Sequence, residues 1–270
     1  MAEPAKRNRS SETEPDDESS GTVLLQRWIE LPDGRMELLE IPLAPADFLD
    51  PQLEDTMVQG RPHGRVRHYL VDLLERHFHD QPDVMILDDV KHLLGPGLPG
   101  PAPDVSVVRG AQDPDPELES FDVVKQGVVP CLVIEIVSPS DVRIRRTDEV
   151  DKVRLYERVG IPEYLLVDAP RRATGHRFRL KAYRLGSNRR YTLIEQDDQG
   201  CLLSETTGLR FGVSAAGDRI DIFDARTGDR LRSALEEEEG RKAAQAAREA
   251  AEEEVRRLRA EIARLKKLDP

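Results

Sequence analysis

The sequence has no long apolar run, and this limits the classes of protein that it can encode. No stretch approaches the roughly 18 consecutive apolar residues that a membrane-spanning helix needs. Residues 1–20 are rich in Ser, Glu, Asp and Pro and include no apolar segment of the signal-peptide type. We therefore expect a soluble, cytoplasmic protein that does not bind a membrane.

Cysteine is scarce as well, with two residues in the whole chain. Cys131 and Cys201 lie in apolar, strand-like segments without a C-x-x-C spacing or a neighbouring histidine, so we expect buried free thiols and not zinc ligands. The chain also lacks a glycine-rich phosphate loop and an ordered Ser-His-Asp set. These absences disfavour zinc, nucleotide-binding and serine-hydrolase chemistry.

Positive charge is in deficit: 40 Lys and Arg face 52 Asp and Glu, for a formal net charge of −12. Such a balance argues against a surface that binds nucleic acid mainly by neutralising phosphates. Basic residues nevertheless cluster locally, at Arg143, Arg145 and Arg146, and an acidic site attracts divalent cations. The charge therefore weakens the case for a nuclease without excluding one.

The composition divides the chain into three parts. Residues 1–20 contain too little apolar surface to offset the entropy of ordering, so we predict a disordered acidic tail. Residues 21–234 alternate between strand-like and helix-like apolar patterns, as in one α/β domain. Residues 235–270 change abruptly to Ala, Glu, Arg and Lys, which predicts a coiled-coil helix.

Within the central part, the patterns predict a β-hairpin around residues 32–34 and an amphipathic helix over residues 63–80. A strand, a helix over residues 148–159 that ends at Gly160, and another strand follow later, which predicts a βαβ crossover and a sheet with helices packed on it. The stretch 110–128, rich in Asp, Pro and Glu, is predicted to be a surface insertion.

Two carboxylates stand out in the predicted strands. PAPDVSVV places Asp104 at the start of one strand, and LVIEIVS places Glu135 inside an otherwise apolar one. A buried, ionised Glu135 needs a metal, a cation or an opening to solvent. A strand edge facing water would explain Glu135 equally well, and a Pro-Asp pair is more often part of a turn.

Asp148, Lys152 and Tyr156 are spaced four residues apart, so they share one face of the predicted helix. A nuclease that uses a divalent metal needs hard oxygen ligands and a nearby cation, and a lysine on this face could be that cation. An ordinary ion pair between Asp148 and Lys152 on a solvated face is the alternative.

The segments PAPDVSVV, LVIEIVSPSD and DEVDKVRLYERVGIPEYLLVDA, in this order and spacing, resemble the Uma-type restriction endonuclease family, a branch of the PD-(D/E)XK nuclease superfamily. The resemblance covers about residues 40–225. It implies a restriction-endonuclease-like mixed β-sheet flanked by helices. It also implies a metal-dependent endonuclease that acts on DNA, with Mg²⁺ as the cofactor and Mn²⁺ as an alternative ion.

The same resemblance implies roles for single residues. Asp104 and Glu135 would be metal ligands, with the backbone carbonyl of Ile136 as a third contact. The superfamily name leads us to expect a lysine two residues after the second acid, where this chain has Val137. In the Uma-type branch the lysine lies on the following helix, and Lys152 matches that position.

Three further residues would support this site. Asp148 and Tyr156 share the helix face of Lys152. His63 resembles the histidine at the start of the family's first long helix, although from the residues alone it is a surface or helix-entry residue.

The C-terminal segment has small and apolar residues at alternating steps of three and four, interrupted by Arg248. They are Ala244, Ala251, Val255, Leu258, Ile262 and Leu265. A helix this short is marginal alone, so it either forms a homodimer through residues 244–265 or packs on its own domain.

Two other functions compete with the nuclease. One is a catalytically silent binding or assembly module that acts through its coiled coil, which the acidic balance favours. The other is a metal-dependent hydrolase with a different substrate, because two acids and a lysine do not define the substrate.

Overall fold

The computed structural model describes residues 24–52, 55–57, 61–111, 119–137, 145–169 and 177–265. The acidic tail predicted at residues 1–20 lies outside the described residues, as does Arg143.

The predicted hairpin is confirmed. β1 (Leu24–Glu30) pairs antiparallel with β2 (Met36–Pro42), and β3 (Asp55–Met57) adds to the other edge of β1. A short helix, α1 (Pro45–Leu49), follows the hairpin. Leu25 and Leu43 form a small core with Phe48 from α1, so the hairpin and α1 form one packed unit.

A mixed sheet of six strands forms the centre of the molecule. Its strand order is β11-β10-β9-β8-β6-β4, and β8 and β9 are its parallel pair. The six strands are β4 (Val84–Leu87), β6 (Val105–Arg109), β8 (Leu132–Val137), β9 (Glu163–Asp168), β10 (Arg179–Leu185) and β11 (Tyr191–Leu193).

Helices cover both faces of this sheet, as the sequence predicts. On one face α2 (Arg61–Phe78) packs Leu70, Leu73 and Leu74 against the strand residues Ile134 and Ile136. On the other face lies α4 (Lys152–Val159), whose Leu155 and Tyr156 pack with Val133, Val137 and Tyr164. Because side chains alternate across a strand, β8 is buried on both faces.

The βαβ crossover is confirmed, since β8, α4 and β9 follow one another and the two strands are parallel. α4 ends at Gly160, whose φ of 93° is the left-handed conformation that glycine adopts without steric cost.

The prediction of a surface insertion at residues 110–128 is wrong for the part that the structure describes. β7 (Ser120–Asp122) pairs in parallel with β5 (Lys91–Leu93), and α3 (Val123–Gln126) follows directly. Phe121 is fully buried. A strand of three residues is too short to show alternation in the sequence, and this one is surrounded by charged residues.

A second antiparallel sheet completes the domain, formed by β12 (Leu202–Ser204), β13 (Leu209–Val213) and β14 (Ile220–Asp224). Buried Glu163 of β9 joins this sheet to the central one, because its carboxylate accepts hydrogen bonds from Ser204 Oγ of β12 at 2.5 Å and from Thr206 Oγ1 at 2.7 Å. Cys131 and Cys201 are free thiols, half-buried and buried respectively.

The chain's last described element is one long helix, α5 (Ala234–Leu265). Its first turn is held on the domain: the Ala234 amide donates to Asp72 at 2.9 Å, and Arg230 contacts Glu236 at 2.9 Å. From residue 237 to residue 264 every side chain is exposed. A helix is thus present where a coiled coil is predicted, and its pairing stays a prediction. Among the described residues, no helix is long and apolar enough to span a membrane.

Candidate active site

Sheet register brings the two predicted carboxylates side by side. In the antiparallel pair of β6 and β8, Val105 lies opposite Ile134 and Ser106 opposite Val133. Asp104, the residue before β6, therefore lies opposite Glu135, and directly opposed side chains in a sheet have Cβ atoms about 5 Å apart. Glu135 lies on the sheet face that α4 covers, since its neighbours on that face, Val133 and Val137, pack with α4.

Lys152 on α4 contacts one acid of this pair, Glu135, together with a third acid, Asp148. Its Nζ lies 2.8 Å from Oε1 of Glu135 and 3.0 Å from Oδ1 of Asp148. The side chains of all three residues are at most 2% exposed. Neither a Glu135 that faces water nor a solvated Asp148–Lys152 pair is therefore correct.

A π-helical turn (Thr147–Asp151) precedes α4 and sets the position of Asp148. In this turn the Lys152 amide donates to the carbonyl of Thr147, five residues back, and not to that of Asp148. The Tyr164 hydroxyl donates to the Asp148 carbonyl at 3.0 Å. The apolar pattern does not reveal this turn, because its one extra residue shifts the helical phase only at the start of a short helix.

Two aromatic side chains complete the surroundings of Lys152 and Glu135. The Tyr156 hydroxyl donates to Oε1 of Glu135 at 3.1 Å, and burial raises the pKa of Tyr156 well above its usual value, so that the donor keeps its proton. The ring of Phe48 in α1 lies 4.2 Å from Lys152 Nζ, a cation–π contact. Phe48 could not be predicted as part of this site, because no local sequence pattern connects α1 with α4.

Asp104 is held by a second set of contacts. Its Oδ2 accepts the Ile136 amide at 2.7 Å and lies 3.1 Å from Nε2 of His63. Burial lowers the pKa of His63, but the hydrogen bond and the charge of Asp104 outweigh this effect, and the net pKa is raised. The N–H and C=O of one strand residue point to the same neighbouring strand, so the Ile136 carbonyl points to the side on which Asp104 lies.

The buried charges are unequal in number. Burial raises the pKa of Glu135 to about 8 against the opposing attraction of Lys152, and burial raises that of Asp148 to about 6. Burial would lower the pKa of Lys152, but the charges of Asp148 and Glu135 outweigh it and the net pKa is raised. One permanent ammonium thus faces three acidic groups, Asp104 included.

The donors around Asp104 and Glu135 suit a hard divalent cation, because carboxylate and carbonyl oxygens are the ligands that Mg²⁺ prefers. Among the described residues, no group of three or more His, Cys, Asp or Glu side chains is arranged to hold a metal. The predicted ligand set needs two such side chains, since its third donor is the backbone carbonyl of Ile136.

Arg145, one of the three clustered arginines in the sequence, is paired with carboxylates. Arg145 contacts Glu149 at 3.0 Å and Asp168 at 2.8 Å, and Asp168 also contacts Arg179 at 2.6 Å. Asp168, at the end of β9, therefore fixes the segment before the π turn. Arg146 is exposed and carries no such pair among the described residues.

A comparison with family models identifies the chain. The model described as "Uma2: Putative restriction endonuclease" matches residues 36–219. The chain belongs to the Uma2 family. The match includes Asp104, Glu135 and Lys152 and ends before α5, so the long helix lies outside the Uma2 region.

A comparison with solved structures found a chain that is similar to this Uma2 chain. It is described as a "putative nuclease belonging to DUF820" from Anabaena variabilis, with 13% sequence identity and a TM-score of 0.41. The likeness covers 68% of this chain and 82% of that one, and at this TM-score it supports no conclusion about function. A search of curated proteins found no match.

Proposed function

We propose that this Uma2 chain is a metal-dependent endonuclease that hydrolyses DNA phosphodiester bonds in the cytoplasm, with Asp104, Glu135 and Lys152 as its catalytic residues. The contact of 2.8 Å between the buried ammonium of Lys152 and Glu135, which lies opposite Asp104, is the observation that carries the proposal. Membership of a restriction endonuclease family supports nuclease-like activity. We infer metal dependence from the chemistry of the site, and DNA as the substrate from the family description.

Asp104, Glu135 and the Ile136 carbonyl would hold Mg²⁺, or Mn²⁺ in its place. Such an ion supplies a Lewis acid for the phosphate and lowers the pKa of bound water. His63 orients Asp104 through its contact with Oδ2, and Tyr156 orients Glu135 through its hydroxyl.

Lys152 provides positive charge where negative charge develops on the phosphate. In hydrolysis, water adds to phosphorus, the bond to the leaving oxygen breaks, and that oxygen takes up a proton. Fixed charges in a site shielded from water stabilise such a change more than the same charges in solvent do. Asp148 and Phe48 act as positioning residues, because they hold the ammonium next to Glu135.

The test is cleavage of supercoiled plasmid DNA with Mg²⁺. Asp104→Asn, Glu135→Gln and Lys152→Met should each lower the rate about a hundred-fold or more. Asp151→Asn is the matched control, because it removes a carboxylate from the same helical turn without touching this cluster. Equal rates in wild type and all three variants would refute the assignment.

A wild type that cleaves no DNA with either ion would favour the silent module or the hydrolase of another substrate. Calorimetric titration with Mg²⁺ then separates these two. Heat that Asp104→Asn abolishes would support a metallohydrolase with a different substrate, and an absence of heat would support the silent module.

A further inference from the structure

Helix α5 extends away from the described part of the domain, and its side chains from residue 237 to residue 264 are exposed. Its 32 residues span about 48 Å. Among the described residues, its contacts with the domain lie in its first turns, as in the pair between Arg76 and Glu237. The apolar side chains of Val255, Leu258 and Ile262 are 46%, 47% and 51% exposed. These three side chains form an apolar stripe along the helix. An unpartnered helix gains no stability from this stripe, because most helical stability in proteins comes from packing an apolar face.

The stripe has the residue types of a two-stranded coiled coil. In a heptad written a to g, Val255 and Ile262 occupy a positions, and Ala251 and Leu258 occupy d positions. β-branched residues at a with leucine at d favour two parallel strands over three or four. The core is restricted to the C-terminal half, because Arg248 occupies the preceding a position.

The flanking charges favour the parallel orientation. In a parallel dimer, a g residue faces the e residue of the next heptad on the partner helix, which places Glu254 beside Arg259 of the second copy. In an antiparallel dimer g faces g, so Glu254 and Glu261 would face the same acidic residues of the second copy. Within one helix Glu254 has a long contact of 3.8 Å with Arg257, and both side chains are more than half exposed, so this pair competes weakly.

We propose that a second copy of this chain is the partner of α5, in a parallel, in-register coiled coil over residues 251–265. The pairing goes beyond the nuclease function and does not depend on it. A parallel pair places both domains at the same end of the coiled coil.

Sedimentation of the full chain tests the pairing. The 30.5 kDa chain should sediment as a species of twice that mass. Leu258→Glu and Ile262→Glu should shift it to the monomer, whereas Ala260→Glu, which places the same side chain on the opposite face, should not. Circular dichroism checks that each variant keeps its fold. A monomeric wild type at the highest soluble concentration would overturn the proposal, as would a dimer that both seam variants leave intact.

Two further variants test the orientation. Glu254→Arg should weaken a parallel dimer and Glu254→Arg with Arg259→Glu should restore it, whereas Glu254→Arg alone would strengthen an antiparallel one. Leu258→Cys should form a disulfide-linked dimer under mild oxidation, because equal d positions meet in a parallel pair. Wild type under the same oxidant controls for Cys131 and Cys201. A dimer strengthened by Glu254→Arg would overturn the parallel arrangement.

Discussion

Replacing Lys152 by methionine should destabilise the fold as well as abolish cleavage. The substitution keeps most of the side-chain volume but removes the ammonium that lies 2.8 Å from Glu135 and 3.0 Å from Asp148. Both carboxylates are at most 2% exposed, so water cannot replace the lost partner without opening the site.

The magnitude follows from this burial. Removing one partner of a buried ion pair costs about 3–5 kcal/mol, because the acids that lose the ammonium must either stay charged without it or take up protons. A domain is typically stable by about 5–15 kcal/mol, so Lys152→Met would lose a large share of the total. Adding Glu135→Gln and Asp148→Asn removes the two acids that lack a partner. The triple variant should then recover most of the lost stability, to within about 1–2 kcal/mol of wild type.

Urea unfolding followed by circular dichroism measures these differences. It must be done with a chelator present, because a bound ion would add stability by mass action. The triple variant should be folded and inactive, which separates the catalytic role of the cluster from its structural role. A Lys152→Met variant that unfolds at the wild-type midpoint, or a triple variant that is no more stable than Lys152→Met, would show that the ammonium does not stabilise the fold in this way.

Two other predictions concern groups near this core. Burial lowers the pKa of His92 to about 4, whereas the pKa of a histidine in the unfolded chain is about 6.5. Between these two pH values the unfolded chain binds a proton at His92 that the folded chain does not. The free energy of unfolding should therefore fall as the pH drops from about 6.5 to 4. His92→Asn keeps a hydrogen-bond donor for the Val90 carbonyl, which lies 2.7 Å from Nδ1 of His92. This variant should remove about 2 kcal/mol of the difference in unfolding free energy between pH 7 and pH 5. An unchanged difference would show that another group titrates. Phe48→Ala should uncover Lys152, whose side chain is 1% exposed, and so speed its labelling by an amine-reactive ester. Mass spectrometry of the labelled peptide measures the rate. Equal rates in wild type and variant would mean that Phe48 does not shield Lys152.

The local sequence was sufficient to predict the strands and helices whose apolar residues recur at regular spacing. The strand around Glu135 could be predicted because its neighbours on both faces are apolar, and helix α4 because Gly160 ends it. The family resemblance supplied Asp104 and Lys152, whose catalytic roles stay predictions.

Contacts between distant segments could not be predicted in this way. The approach of Phe48 to Lys152 depends on how the hairpin unit packs on the sheet, which no local spacing encodes. The burial of Glu163 and its hydrogen bonds to Thr206 depend in the same way on two sheets that meet only in the folded chain. Phe121 was misjudged because the acidic residues around it are typical of a loop.

Because of the π turn before α4, the position of Lys152 relative to the acids of the strands depends on the number of residues in that turn as well as on their types. Successive residues of a helix are rotated by about 100° around its axis. Losing one residue from Thr147–Asp151 would turn the face that bears Lys152 by about that angle, away from Glu135, unless the flanking segments rewound. A single-residue deletion in this turn is therefore more damaging than most substitutions at its half-buried positions, Glu149, Val150 and Asp151.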